Sequence, residues 1–322
     1  MRLSTVLLII LVGGCSEQPA SKEPAFQGKT LDYWTAQTKS GDQAEQQRAI
    51  FALGQIGPTA IPTLTELVKD KTEGVRFQAA LALGHIGPPA IPALTELFKD
   101  EDWHVRDVAA RAVLEIGPKA KAIIPALAEL VKDENQRVRE QAGLALETIG
   151  PAAIPAVTEL LNDKDWQVRS VAAWTLGKIG PESKTAIPTL TKLLKDENGA
   201  ENTCQQVRGS AAWGLGGIGP EAKTAIPALM ELLQDKNGAV RLAAAWALGK
   251  IGPEAKPAVP ALTKLLKDKQ SDVRRSAAFS LGEIGTEAKT AVPALTELLN
   301  DTDEKVQQAA SQALDEINKD KN

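Results

Sequence analysis

Asp and Arg recur six residues apart along the chain: Asp70 with Arg76, Asp100 with Arg106, Asp133 with Arg139, Asp163 with Arg169, Asp235 with Arg241 and Asp268 with Arg274. A row of carboxylates could transfer protons or hold metal ions. An Asp that closes one helix and an Arg that opens the next could instead form a ladder of charge-assisted hydrogen bonds. The regular recurrence points to the ladder. The two histidines, His85 and His104, fall in different stretches, followed by Ile86 and Val105, so no His-Glu pair exists to hold a metal. Both are read as surface residues. Cys15 and Cys204 are too few for a disulfide framework. The sequence contains no Gly-rich phosphate loop and no evident nucleophile–base–acid set. These residues predict no catalytic centre, no metal and no cofactor.

Composition narrows the class further. The chain has 322 residues, 43% of them hydrophobic and 24% charged, enough apolar material for a folded core. The net charge of −4 lacks the basic excess of a nucleic-acid binder. Aromatic residues make up only 4%, yet six of them are Trp, so the placement of those six carries information.

The elements that position these residues repeat. A phrase ending in Ile-Gly recurs at Gly57, Gly87, Gly117, Gly150, Gly180, Gly219, Gly252 and Gly285, with a degenerate copy at Ile317-Asn318. The spacings are 30, 30, 33, 30, 39, 33, 33 and 33 residues, periods that signal a solenoid. In one unit, Ile61, Leu64, Leu67 and Val68 form the apolar face of a first helix, with Pro62 near its start. Val75, Ala79, Leu83 and Ile86 form the face of a second helix, ended by Gly87-Pro88. Neither helix buries its stripe alone, and stacking predicts one continuous core. The link between units is short in Gly-Pro-Thr-Ala-Ile-Pro (57–62) and three residues longer in Gly-Pro-Glu-Ser-Lys-Thr-Ala-Ile-Pro (180–188). The 39-residue unit carries six further residues around Asn198 to Gln206, expected as a surface loop containing Cys204. The expected fold is all-α: about nine stacked antiparallel helix pairs over residues 28–322, spanning roughly 80 Å at 8–10 Å per helix. The end units carry Glu45-Gln46 and Gln307 where the others have Val-Arg or Arg, as capping repeats should.

Before the repeats stand Met1-Arg2, an apolar run from Leu3 to Val12, and Gly13-Gly14-Cys15. This is a secretory signal, too short to span a bilayer. Leu11-Val12-Gly13-Gly14-Cys15 resembles the bacterial lipobox, which implies cleavage after residue 14 and a lipid on Cys15. Residues 15–27 lack apolar periodicity and read as a flexible tether. Ser16 stands where Asp would imply inner-membrane retention in enteric bacteria, so the resemblance implies an outer-membrane, periplasm-facing protein.

The phrase Val-Arg-x-x-Ala-Ala-x-Ala-Leu-Gly-x-Ile-Gly-Pro resembles the HEAT repeat, especially the short form found in phycobilin lyases. It covers nearly all of residues 28–322 and implies a scaffold whose second helices line a concave face. Deoxyhypusine hydroxylase, on a related scaffold, holds iron with His-Glu pairs. Their absence here disfavours such an oxidoreductase. A chromophore-handling, lyase-like role is the main alternative to a scaffold, and export argues against it.

Trp103 and Trp166, each two residues before a Val-Arg, are either exposed contacts or lids over the core. The other pattern lies six residues after each repeat Val: Phe51, Leu81, Arg111, Leu144, Trp174, Trp213, Trp246, Phe279 and Gln312. At 100° per residue this position falls opposite the core stripe. Seven of these nine residues are large and apolar, where polar ones are expected. Phe51, Leu81, Leu144, Trp174, Trp213, Trp246 and Phe279 are therefore the candidate partner-binding residues, with Gly177, Gly216, Gly249 and Gly282 as small neighbours that make room. The expected protein is a monomeric, non-catalytic scaffold that captures a protein or peptide on this face and meets the membrane through Cys15.

Overall fold

In a computed structural model, residues 25–319 are described and form a row of nine helix pairs. The first three pairs are α1 (Leu31–Gln37) with α2 (Gln43–Ile56), α3 (Ile61–Leu67) with α4 (Glu73–Ile86), and α5 (Ile91–Leu97) with α6 (Trp103–Ile116). The next three are α7 (Ile124–Leu130) with α8 (Gln136–Ile149), α9 (Ile154–Leu160) with α10 (Trp166–Ile179), and α11 (Ile187–Leu193) with α12 (Glu201–Ile218). The last are α13 (Ile226–Leu232) with α14 (Gly238–Ile251), α15 (Val259–Leu265) with α16 (Ser271–Ile284), and α17 (Val292–Glu297) with α18 (Glu304–Ile317). The all-α solenoid expected from the sequence is the observed fold.

Local chemistry sets the element ends. From α3 onward every first helix carries Pro in its opening turn, where a missing N–H costs nothing. Most second helices begin on an Asp or Asn whose side chain accepts a backbone N–H: Asp42, Asp102, Asn135, Asp165, Asn237 and Asp303. Eight second helices end at a Gly with φ between 62° and 92°, a conformation that would strain any side chain bearing a Cβ. A short 3₁₀ segment then turns the chain into the next first helix.

The apolar stripes of both layers merge into one continuous core from Trp34 to Ile317. Neighbouring second helices pack against one another along the row, least closely between α8 and α10, whereas first helices barely touch one another. The second helices thus form the closely packed layer, the inner layer of the row in the arrangement that the HEAT resemblance implies. Glycines permit this spacing. A Cβ on Gly177 would stand 2.8 Å from Gly214 Cα, one on Gly249 2.8 Å from Ser280 Cα, and one on Gly282 2.9 Å from Ala313 Cα.

At the N-terminal end, Ala25–Phe26 pairs antiparallel with Lys29–Thr30. Trp34 Nε1 donates to the Phe26 carbonyl at 3.2 Å. The last residues of the span expected to be tether, 25–27, therefore belong to the folded body, because Phe26 has aromatic neighbours in Trp34 and Phe51. Cys15 and the expected signal lie outside the described residues.

Candidate partner-binding face

The Asp–Arg pairs form a ladder, but its rungs differ from those expected. Within a unit, the guanidinium donates to the backbone carbonyl of the Asp six residues earlier, as Arg139 does to Asp133 at 2.7 Å and Arg241 to Asp235 at 2.8 Å. The carboxylate pairs instead with the Arg of the preceding unit, 27 residues back. Arg106 grips Asp133 at 2.6 and 2.9 Å, Arg241 grips Asp268 at 2.8 and 2.9 Å, and Arg274 grips Asp301 at 2.7 and 2.8 Å. Arg169 with Asp196 and Arg208 with Asp235 complete five rungs. Each rung crosses a seam whose link has the longer form. At the short links, Arg76 and Arg139 bond only carbonyls, and Asp100 pairs with Lys69 at 3.0 Å. Three missing residues shift the first helix so that its Asp falls out of reach. The carboxylates are thus consumed by structure: hydrogen bonds from Arg274 hold the Asp301 carboxyl below its ordinary range. Burial acts to raise Asp268, but hydrogen bonds from Arg241 and the Gln270 N–H outweigh it and hold it low.

The insertion is not a surface loop. Most of it adds a turn to the start of α12, which runs 18 residues where the other second helices run 14. Cys204 is buried, its thiol directed at the Gly199 carbonyl at 3.6 Å. The added turn brings Glu201 to Arg208 at 3.0 Å.

The seven candidate residues all lie on the inner layer, spread over seven units. Trp174 and Trp213 are exposed, while Leu81, Leu144, Trp246 and Phe279 are half-buried. Phe51 is exposed yet set apart, with the Phe26 ring edge-on at 6.1 Å. The indoles of Trp213 and Trp246 meet at 4.1 Å between centroids, tilted by 46°. The Trp246 ring occupies the space that a Cβ on Gly216 would need. Gly216 makes room for a ring as expected, whereas Gly177, Gly249 and Gly282 serve helix–helix approach. Lys178 stands 4.7 Å over the Trp174 ring and Lys250 4.9 Å over that of Phe279. Two hollows open along this row. One, of about 540 Å³, lies among Trp213, Trp246, Phe279 and Gln312. The other, of about 410 Å³, lies beside Leu144 and Trp174.

Arg111 breaks the apolar row for a reason the sequence pattern missed. Asp107, one turn earlier and only 3% exposed, pairs with Arg111 at 3.2 Å and Arg137 at 3.4 Å. Burial pushes its carboxyl up, against the pull of both guanidiniums. The i, i+4 spacing of Asp107 and Arg111 was the available signal. Trp103 and Trp166 are half-buried against the core. Trp103 stacks on His104 at 3.8 Å, and His104 bonds Asp102 at 2.7 Å. His85 contacts Gln55 at 2.9 Å. Among the described residues, no group of His, Cys, Asp and Glu is arranged to hold a metal ion, and no helix is long and apolar enough to cross a membrane.

Several solved proteins share this fold. Kap95p, whose binding induces the switch loops of RanGDP to adopt the GTP-bound conformation, matches with a TM-score of 0.65 at 15% identity, over 89% of this chain and 45% of its own. The Kap95:Nup1 complex gives 0.61 at 16% identity, over 90% of this chain and 45% of the other. The karyopherin Kap121p, bound to the extreme C-terminus of the protein phosphatase Cdc14p, gives 0.59 at 15% identity, over 89% of this chain and 37% of its own. The chain thus spans less than half the length of these proteins. No curated protein matches it in sequence. The family described as HEAT repeats matches residues 31–114, 123–203, 198–282 and 259–321, and the chain belongs to that family.

Proposed function

We propose that the protein is a non-catalytic scaffold that captures an extended protein or peptide segment along its inner face. The observation that carries this reading is the pair Trp174 and Trp213, exposed on the inner layer next to half-buried Trp246 and Phe279. Their burial within their own units does not account for them, and exposed apolar patches of this kind mark binding surfaces. Trp is also frequent among residues that dominate binding energy. The titratable groups support a scaffold as well, since five of the recurring Arg side chains are paired with Asp of the next unit and Arg76 and Arg139 are bonded to backbone carbonyls. The solved neighbours include a karyopherin bound to a protein's C-terminus, a use compatible with this face. The test is proximity crosslinking in the native envelope, comparing wild type with Trp213→Ala. Loss of the crosslinked partner at an unchanged melting temperature supports the reading; an unchanged crosslinking pattern refutes it.

We further infer that Cys15 carries a lipid and holds the solenoid at the periplasmic side of the outer membrane. The carrying observation is the run Leu11-Val12-Gly13-Gly14-Cys15 behind an apolar stretch. The expected result is an N-terminal peptide beginning at modified Cys15, and a soluble or unprocessed protein from Cys15→Ala. An unmodified N-terminus together with unchanged fractionation overturns it.

A further inference from the structure

We propose that the seam between α8 and α10 is a socket for a basic side chain, lysine or arginine, presented by an extended peptide. The inference rests on the reading of the inner face as a peptide-binding surface and names the chemistry of its partner.

The seam is open for a reason visible in the residues. α8 and α10 are the least closely packed of all neighbouring second helices. Six units carry Gly nine residues after the repeat Val or its counterpart, and there Gly84, Gly177, Gly249 and Gly282 abut the next second helix. In α8 that position is Glu147. A carboxylate in place of a hydrogen atom keeps the neighbouring backbone away. The link across this seam also has the short form, and no Arg–Asp rung closes it.

The resulting hollow of about 410 Å³ has apolar walls in Leu144, Val171 and Trp174. Its polar groups are unsatisfied. Thr175 is 1% exposed, yet among the described residues its Oγ1 has no hydrogen-bond partner, and neither does the buried Oγ of Ser170. Gly143 keeps Thr175 reachable from α8: a Cβ there would come within 3.0 Å of Thr175 Oγ1 and 2.9 Å of Val171. Glu140 lines the hollow and, among the described residues, accepts only from Gln136, at 2.8 Å. Glu147, one turn past Leu144 on α8 and outside the lining of the hollow, has a buried Oε2 with no partner among the described residues. Among the described residues, neither carboxylate has a cation within salt-bridge distance.

One uncompensated carboxylate in the hollow, a second one turn away on α8, two free hydroxyls and an indole face favour one kind of occupant, a cationic side chain with an aliphatic stem. The stem lies on Leu144 and Val171, and the charged head meets oxygen on one side and the ring on the other. Lys178, 4.7 Å over the Trp174 ring, shows that this ring takes an ammonium. The cations nearby are otherwise engaged: Arg137 faces Asp107, and Arg139 faces backbone carbonyls. The partner's Lys or Arg would supply the counter-charge that Glu140 lacks.

The probe is a phage-displayed library of random 12-residue peptides, selected on the full chain. Recovered peptides are expected to carry Lys or Arg beside an apolar residue. The double variant Glu140→Gln, Glu147→Gln should weaken a recovered synthetic peptide by about tenfold or more. Replacing its basic residue with norleucine should cost the same, and the two changes together should cost no more than either alone. The double variant should melt no lower than wild type, because it removes unpaired charge from a partly buried site. Peptides that bind through Trp213 without a basic residue, or affinities unchanged in the Gln variant, overturn the socket and leave the scaffold reading standing. Peptides that bind Trp213→Ala as tightly as wild type overturn that reading. No recovered peptide overturns both.

Discussion

Helix α10 has two neighbours and meets them in opposite ways. Toward α12 the backbones nearly touch, with Gly177 against Gly214 and Gly217 against Gly177, and below them Arg169 reaches Asp196 at 2.8 Å. Toward α8 the helices stand apart, no rung forms, and the hollow beside Trp174 opens. The apolar stripes of the three units are nearly identical in sequence, so core packing does not explain the contrast. Two small differences do: three residues in the link and one Gly replaced by Glu147. In a repeat protein the core residues specify the fold, and the seam residues specify where the row is closed and where it can accept another molecule.

Removing one partner from a closed seam should have the largest effect. Arg241→Ala leaves the buried Asp268 carboxylate without its grip and is expected to cost about 3–5 kcal/mol in denaturant unfolding. Arg139→Ala, beside the open seam, loses only carbonyl contacts within its own unit and should cost about 1–2 kcal/mol. Equal losses would erase the distinction between the two seams. Crowding the tight side comes next. A Cβ on Gly214 would stand 2.6 Å from the Ala173 carbonyl oxygen, so Gly214→Ala should cost about 1–3 kcal/mol. A melting temperature matching wild type would show that the helices part without penalty.

The open seam can also be closed. Inserting Glu-Ala-Lys after Pro151 copies the long link and should bring Asp163 to Arg139, raising stability by about 1 kcal/mol. A crystal structure without that rung, or a loss of stability, would count against link length as the cause. Lowering the pH sharpens the contrast less. Asp268 and Asp301 titrate lower in the folded protein than when unfolded. Their contribution is complete above the ordinary carboxylate range and is lost as pH falls below about 4. Acid should therefore loosen units 8 and 9 in hydrogen exchange; protection there that is unchanged well below about pH 4 would contradict the rung assignment. Trp174→Ala should change stability least, by under about 1 kcal/mol, since its ring is exposed. A drop as large as that from Arg241→Ala would mean the ring is part of the packing.

Most of the fold was legible because it follows from spacing. Pro62 and its counterparts, the terminal glycines and the 3.6-residue stripes fix the helix pairs locally. That Trp174 and Trp213 point away from the core stripe followed from the same arithmetic. What spacing could not give was contact between units. Asp133 lies closer in sequence to Arg139 than to Arg106, so the pairs six apart looked complete, and the partner 27 residues back was invisible without the stacking offset. The insertion misled for a related reason: Glu201 to Gln205 continue the helical period of α12 backwards, but the unit length alone suggested a loop. Phe26 was assigned to the tether because two residues show no period. Glu147 stood in plain view as one of three exceptions, with Leu114 and Asp315, to a column of glycines, and its meaning depended on knowing what those glycines touch.

The uneven ladder also gives the row a mechanical character. Five seams are bolted on the edge by a guanidinium–carboxylate clamp, and they fall between units 3 and 4 and through all of units 5 to 9. The seams between units 1 and 2, 2 and 3, and 4 and 5 lack the bolt. A load applied along the row will therefore bend it at the joint beside Trp174, with a stiff beam of five units on one side and a jointed arm on the other. Anything that grips both sides of that joint will set the angle between them.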